Sequence, residues 1–203
     1  MISIIDYGVG NLRAFANIYK RLGIPAEIVS SKERLEKSDK IILPGVGSFD
    51  HAMEKLNNSD LCLLLNDLVL KKNVPVLGIC VGMQMMAKSS DEGKLNGLAW
   101  IDATVKLFDS SRIDGVTKLP HMGWNNVKAS IKNPLFEHIE DSLFYFLHSY
   151  YFVCENESNI IGKSEYGLIF TSAVNHKNIY GVQFHPEKSH EHGIQLLKNF
   201  ATL

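Results

Sequence analysis

Two glycines flank a single cysteine, each two residues away, in Gly78-Ile79-Cys80-Val81-Gly82. The segment before it, Val74 to Ile79, is a short apolar run entered through Pro75 and reads as a buried strand, while Val81 to Lys88 has the composition of a helix start. G-x-C-x-G is the cysteine counterpart of the nucleophile elbow, in which small neighbours let the chain turn sharply enough to push the nucleophile out of the sheet. A helix N-terminus aimed at the sulfur would favour thiolate over thiol. The plainer reading is an unpaired cysteine filling a small space in the core. A second cluster far downstream weighs against it. In Tyr180-Gly-Val-Gln183-Phe-His185-Pro186-Glu187-Lys188, strand alternation sends Val182 and Phe184 one way and puts Gln183, His185 and Glu187 on the opposite face. A carboxylate beside an imidazole orients the ring and stabilises its cation. Alone, H-P-E is a surface turn with an ion pair. Together with the elbow it makes a nucleophilic triad of Cys80, His185 and Glu187.

The rest of the chain must bring these three residues together. With 203 residues, 45% of them hydrophobic, it can bury a full core, and the expected organisation is one domain over 1–203. The formal net charge of -1 supplies no electrostatic footprint for nucleic acid or an anionic membrane. The run Leu61 to Leu70 is interrupted by Asn66 and Asp67, so it reads as an amphipathic helix and not a membrane span. Met1 to Asp6 runs straight into a strand without the basic start of an export signal. Cys62, Cys80 and Cys154 are an odd set without metal-ligand spacing, which points to a reducing compartment, the cytoplasm by default, with no metal and no cofactor.

The first half alternates strand and helix. Ile2–Asp6 is a strand, and Tyr7-Gly-Val-Gly-Asn11 a glycine-rich turn. A helix follows with Leu12, Phe15, Ile18, Tyr19 and Leu22 on one face, stopping at Gly23. Strands at Pro25–Val29 and Lys40–Leu43 enclose a short polar helix, Ser31–Lys37. This βαβαβ pattern predicts an α/β fold: a doubly wound, mostly parallel sheet with ligands at the C-terminal strand edges, where the loops after Asp6, Leu43 and Ile79 should meet. Pro44-Gly-Val-Gly-Ser48 either brings backbone N–H groups to a ligand or is an ordinary connection N-capped by Ser48. The Tyr7 turn lacks the spacing and lysine of a nucleotide-binding loop. Beyond Gly82 the runs Trp100–Phe108, Trp124–Val127, Leu143–Leu147, Tyr150–Cys154, Asn159–Lys163 and Ile179–Phe184 look like hairpins of an antiparallel extension. Lys118 to Asn125 reads as a loop that either meets a partner through Met122 and Trp124 or covers the sheet. His190 and His192 read as solvent-exposed residues leading into a final helix from Gly193.

Over nearly its whole length the sequence resembles class I glutamine amidotransferases, most of all the glutaminase subunits of imidazole glycerol phosphate synthases. The resemblance is carried by Asp6-Tyr-Gly-Val-Gly-Asn11, Pro44-Gly-Val-Gly47, Gly78-Ile-Cys-Val-Gly-Met-Gln84, Pro120-His-Met-Gly-Trp-Asn125, His148-Ser-Tyr150 and Gln183-Phe-His-Pro-Glu-Lys188. It implies Cys80 as nucleophile, His185 as general base and acid, and Glu187 as its orienter. Gln84 with His148, Ser149 and Tyr150 would hold L-glutamine. The Val81 N–H at the helix start is one oxyanion donor, and the resemblance points to Val46 and Gly47 for the other. It further implies that Asn11, Met122, Trp124, Asn125 and Lys188 face a partner, a (β/α)8 barrel synthase subunit in a heterodimer. Ammonia would pass to that subunit for histidine biosynthesis. A related subunit supplying ammonia for amidation of a surface-polysaccharide sugar is the alternative. A cysteine hydrolase such as a peptidase, or a non-catalytic interaction protein on the same fold, are readings of other classes. The first would not be expected to carry its histidine in Q-F-H-P-E, and the second would be expected to have lost triad members.

Overall fold

The computed structural model describes residues 1–109, 111, 119–129, 132–139 and 143–203. Lys118, expected to open the partner-facing loop, lies outside them. The N-terminal half follows from short apolar runs alternating with helical periodicity. Strand β1 (Ile2–Ile5) is buried at every position. Helix α1 (Leu12–Leu22) buries Phe15, Ile18 and Tyr19, and ends where Gly23 turns left-handed at φ 68°. Then come β2 (Ala26–Val29), α2 (Lys32–Leu35), β3 (Lys40–Gly45), α3 (Phe49–Asn57), α4 (Cys62–Leu70), β4 (Val76–Cys80) and α5 (Val81–Gln84). Helix α4 buries Leu65, Leu68 and Val69 but leaves Leu63 and Leu70 in solvent, so it is buried on one side without the polar opposite face expected of an amphipathic helix. No helix of the described residues is long and apolar enough to cross a membrane.

The second half supplies β5 (Ser89–Ser90), β6 (Ala103–Leu107), β7 (His121–Asn126), β8 (Lys128–Ala129), β9 (Leu143–His148), β10 (Tyr150–Cys154), β11 (Ile160–Glu165), β12 (Ile169–His176), β13 (Ile179–Val182) and the last helix, α6 (His190–Thr202). Among the described residues the main sheet runs β2-β1-β3-β4-β13-β12-β10-β6-β5, with β11 and β8 branching from β12. From β2 to β13 every pairing is parallel, and β13, β12, β10 and β6 are antiparallel neighbours. Strands β7 and β9 form a separate antiparallel ribbon. The expected fold class, a mostly parallel α/β sheet with an antiparallel extension, is the one observed.

Several elements differ from the expectation. Ile179–Phe184, expected among the antiparallel hairpins, contains β13, and this strand joins the two halves. One edge makes a hairpin with β12, and the other accepts β4 in parallel, Val182 opposite Ile79. The loop expected over 118–125 is a strand from His121 onward, paired with β9. The helix expected over Val81–Lys88 is the single turn α5, because the groups beyond it are captured elsewhere. Leu98 N–H donates to the Met85 carbonyl and Lys88 N–H to that of Ala103. Helix α6 starts at His190, three residues before Gly193. Ser48 makes no side-chain cap on α3; the Glu92 carboxylate accepts the Phe49 N–H at 2.8 Å instead.

Candidate active site

Strands β3, β4 and β13 end side by side, with Gly45 opposite Cys80 and Val182 opposite Ile79. Cys80 closes β4 at φ 55° and ψ -113°, a backbone conformation that costs a non-glycine residue energy and marks a forced turn. The glycines around it are required by contact. A Cβ on Gly82 would lie 2.0 Å from the Leu43 carbonyl oxygen, and one on Gly45 2.3 Å from the Gly82 nitrogen. The start of α5 therefore presses directly on the end of β3, which puts Val46 and Gly47 beside Val81 in the wall of one cavity. Tyr7 secures the same corner from the loop after β1, its hydroxyl donating to the Pro44 carbonyl at 2.6 Å.

Past β13 the chain does not stay extended. His185 leads into a 3-10 turn, Pro186–Lys188, and this turn brings His185 Nδ1 within 2.9 Å of Glu187 Oε1, with side chains only 5% and 2% exposed. Three bonds fix the histidine backbone: its N–H donates to the Tyr145 carbonyl, and Ser189 Oγ donates to the His185 carbonyl while accepting the Tyr145 N–H. The ring shares the wall of one cavity with Cys80, whose Sγ faces the Leu147 carbonyl at 3.8 Å. Burial alone would drive its proton off, but the hydrogen bonds and charges of Cys80 and Glu187 outweigh burial and raise the imidazole to about 10. Burial pushes the Cys154 thiol up to about 12 and raises that of Cys62 as well.

Cys80 and His185 open on a cavity of about 340 Å³, of a size to hold an amino acid. Its wall also contains Gln84, His148, Ser149, Tyr150 and Lys188. Gln84 Nε2 donates to the Tyr150 carbonyl at 3.1 Å and to Gln183 Oε1 at 3.0 Å, so both its protons are committed and its carbonyl oxygen is left for a ligand. His148 Nδ1 lies 2.8 Å from the same Tyr150 carbonyl. Asn11, Met122, Trp124 and Lys188 are exposed. Trp124 stacks on His190 with ring centroids 5.0 Å apart. Asn125 is half-buried and turned inward, its amide reaching His121 and the Glu165 carbonyl. His192 Nδ1 donates to the Leu143 carbonyl.

Two further residues belong to the site, Glu92, which the sequence does not mark out, and Gln183, which it marks only by its place beside His185. Glu92 lines the cavity, fixed by its bond to Phe49 N–H while Asp50 in turn accepts the N–H groups of Lys94 and Leu95. Burial raises its pKa, the Phe49 N–H opposes that, and the Asp50 charge adds to it. Nothing around Asp91-Glu92-Gly93 distinguishes this carboxylate from a surface one; only the fold of the 90–95 loop onto α3 does. Gln183 sits in the Q-F-H-P-E motif, and its position on the His185 face is the available signal. Its Nε2 lies 3.8 Å from Cys80 Sγ.

Residues 3–203 match the family model described as glutamine amidotransferase class-I. A protein of Bdellovibrio bacteriovorus named imidazole glycerol phosphate synthase subunit HisH is 53% identical over 205 residues, covering all of both chains. One from Methanococcus maripaludis, named imidazole glycerol phosphate synthase subunit HisH 2, is 51% identical over 98% of each. The fold is also that of a chain in the solved structure of PurLQS from Thermotoga maritima, with a TM-score of 0.74 at 16% identity over 99% of this chain and 97% of that one. The chain belongs to the class I glutamine amidotransferases.

Proposed function

We propose that the chain is the glutaminase subunit of an imidazole glycerol phosphate synthase, hydrolysing L-glutamine to glutamate and ammonia. The observation that carries the chemistry is Cys80 on its forced turn, opening on the same cavity as an imidazole that Glu187 holds from behind. The Cys80 thiolate attacks the side-chain carboxamide carbon, and the carbonyl oxygen becomes an oxyanion. Val81 N–H, the first amide of α5, is one donor for it, and the Val46–Gly47 peptide is the other. His185, protonated at neutral pH, gives its proton to the departing nitrogen. Ammonia leaves, a thioester remains on Cys80, and His185 takes a proton from the water that cleaves it. Glu92, a carboxylate in this wall, suits the α-ammonium group of the substrate.

Relatives named as synthase subunits at about half identity over their full length support the histidine-pathway role, and with it a partner subunit that receives the ammonia. We assign that partner a (β/α)8 barrel and its docking face to Met122, Trp124, Lys188 and Asn11, which stand in solvent, Lys188 also lining the cavity. The working place of such a complex is the cytoplasm. The test is glutamate release by the chain with its co-purifying partner, with and without the phosphoribulosyl formimino ribonucleotide of the histidine pathway. Stimulation by that ligand, lost in Cys80→Ala, is the expected result. Partner-dependent turnover indifferent to the ligand would transfer the subunit to sugar amidation.

A further inference from the structure

The β7/β9 ribbon sets His121 directly opposite His148. Both residues are buried, 3% and 6% exposed, and His121 Nδ1 lies 3.0 Å from His148 Nε2. The neighbours leave one assignment of protons. The Tyr150 carbonyl only accepts, so His148 Nδ1 carries the hydrogen and its Nε2 is bare. A bare Nε2 needs a donor, which makes His121 Nδ1 the protonated nitrogen and its Nε2 the acceptor for the Asn125 amide at 3.2 Å. Burial keeps both rings neutral, lowering His121 to about 4 and, with the His121 and His185 charges, His148 to about 3. The His121 ring has no freedom to turn out of this chain. It stacks between Tyr166 at 4.0 Å and Phe146 at 4.8 Å.

The chain ends on the Tyr150 carbonyl, which Gln84 also engages. We propose that His121, which does not line the cavity, is a positioning residue for glutamine: it fixes the His148 tautomer whose Nδ1–H holds the Ser149–Tyr150 backbone against the cavity. The inference rests on reading that cavity as the glutamine site. Without the His121 donor, His148 would hydrogen-bond through either nitrogen, and the Tyr150 carbonyl would lose one of its two anchors. A displaced wall weakens substrate and transition state alike, so the effect belongs in KM and not in kcat.

The test compares His121→Phe, which fills the stack without a donor, with His121→Asn, which keeps an N–H near the Nδ1 position. Each is assayed for glutamine hydrolysis in complex with the partner subunit. His121→Phe is expected to raise KM about tenfold, the scale of one lost hydrogen bond, with kcat little changed, and His121→Asn to recover most of it. Equal KM for wild type and His121→Phe, or no difference between the two variants, would overturn the proposal. Should His121→Phe fail to fold, ¹⁵N spectra of the histidine rings in the wild-type chain decide it: His148 must be a pure Nδ1–H tautomer at neutral pH, and an Nε2–H or mixed ring overturns the lock. Wild-type hydrolysis that survives Cys80→Ala would instead strike the reading of the cavity.

Discussion

Gly82→Ala tests whether the nucleophile turn is held by close packing. An ordinary carbon–oxygen contact is about 3.3 Å. The new Cβ would stand 2.0 Å from the Leu43 carbonyl oxygen and 3.0 Å from its carbon, so something must move by roughly 1.3 Å. The obstructing atoms are backbone of β3, which is held between β1 and β4, and no side chain can rotate to absorb the shift. Overpacking of this kind costs about 3 kcal/mol. For a chain of this length that is a fall in Tm of roughly 6–12 °C. The same displacement separates Val81 from the Val46–Gly47 peptide, and a lost oxyanion donor lowers kcat by about a hundred- to a thousand-fold. Gly23→Ala is the control. Gly23, unlike the helical Gly82, has a positive φ of 68°, but nothing lies within 4 Å of its Cβ position and it does not line the cavity. It should cost only about 1–2 kcal/mol of left-handed strain and leave kcat alone. Thermal melts and glutamate release by the complex give both numbers. A Gly82→Ala protein no less stable than Gly23→Ala, with wild-type kcat, would refute the packing argument.

Glu187→Gln keeps an acceptor for His185 but removes the charge, and should lower kcat roughly 10- to 150-fold, the worth of a charged hydrogen bond; unchanged turnover would show that Glu187 does not support the imidazolium. Glu92→Gln preserves the bond to Phe49 and should raise the glutamine KM about tenfold with kcat nearly constant, whereas a kcat loss alone would take Glu92 out of substrate binding. Stability should fall on both sides of neutrality. His121 and His148 take up protons only on unfolding, so their contribution is full above pH 6.5 and is lost as pH falls through about 4 and about 3. His185 has its pKa raised to about 10, so its contribution is full below 6.5 and is lost as pH rises towards 10. Urea midpoints across pH 5 to 9 measure this, and a His121→Phe protein with an undiminished acid slope would contradict the first part.

The parallel half was legible because its strands and helices have the right periods and its turns carry glycine at the points that need it, as at Gly23 and Gly82. Strand β12 was not. Five consecutive buried residues, Phe170 to Val174, give it no alternation, and Asn175 and His176 at its end suggest a turn. Strand β9 and the end of β7 were expected from the runs Leu143–Leu147 and Trp124–Val127, but the start of β7 reads as a loop because Pro120 and Gly123 are turn residues, and only its pairing with β9 makes it a strand. Of the site, Cys80, His185 and Glu187 were legible from spacing, although Glu187 reaches His185 through a 3-10 turn and not along an extended strand. Glu92 and the His121–His148 pair were not, since each depends on chain segments far apart in sequence meeting in space.

The central claim is that glutamine passes through a thioester on Cys80. Acid quench of the complex during steady-state turnover, followed by mass spectrometry of the digested chain, tests it directly. The account requires a glutamyl group on the peptide carrying Cys80 and neither adduct nor ammonia release in Cys80→Ala. Sustained hydrolysis by Cys80→Ala, or a glutamyl group on Cys62 or Cys154, would contradict it.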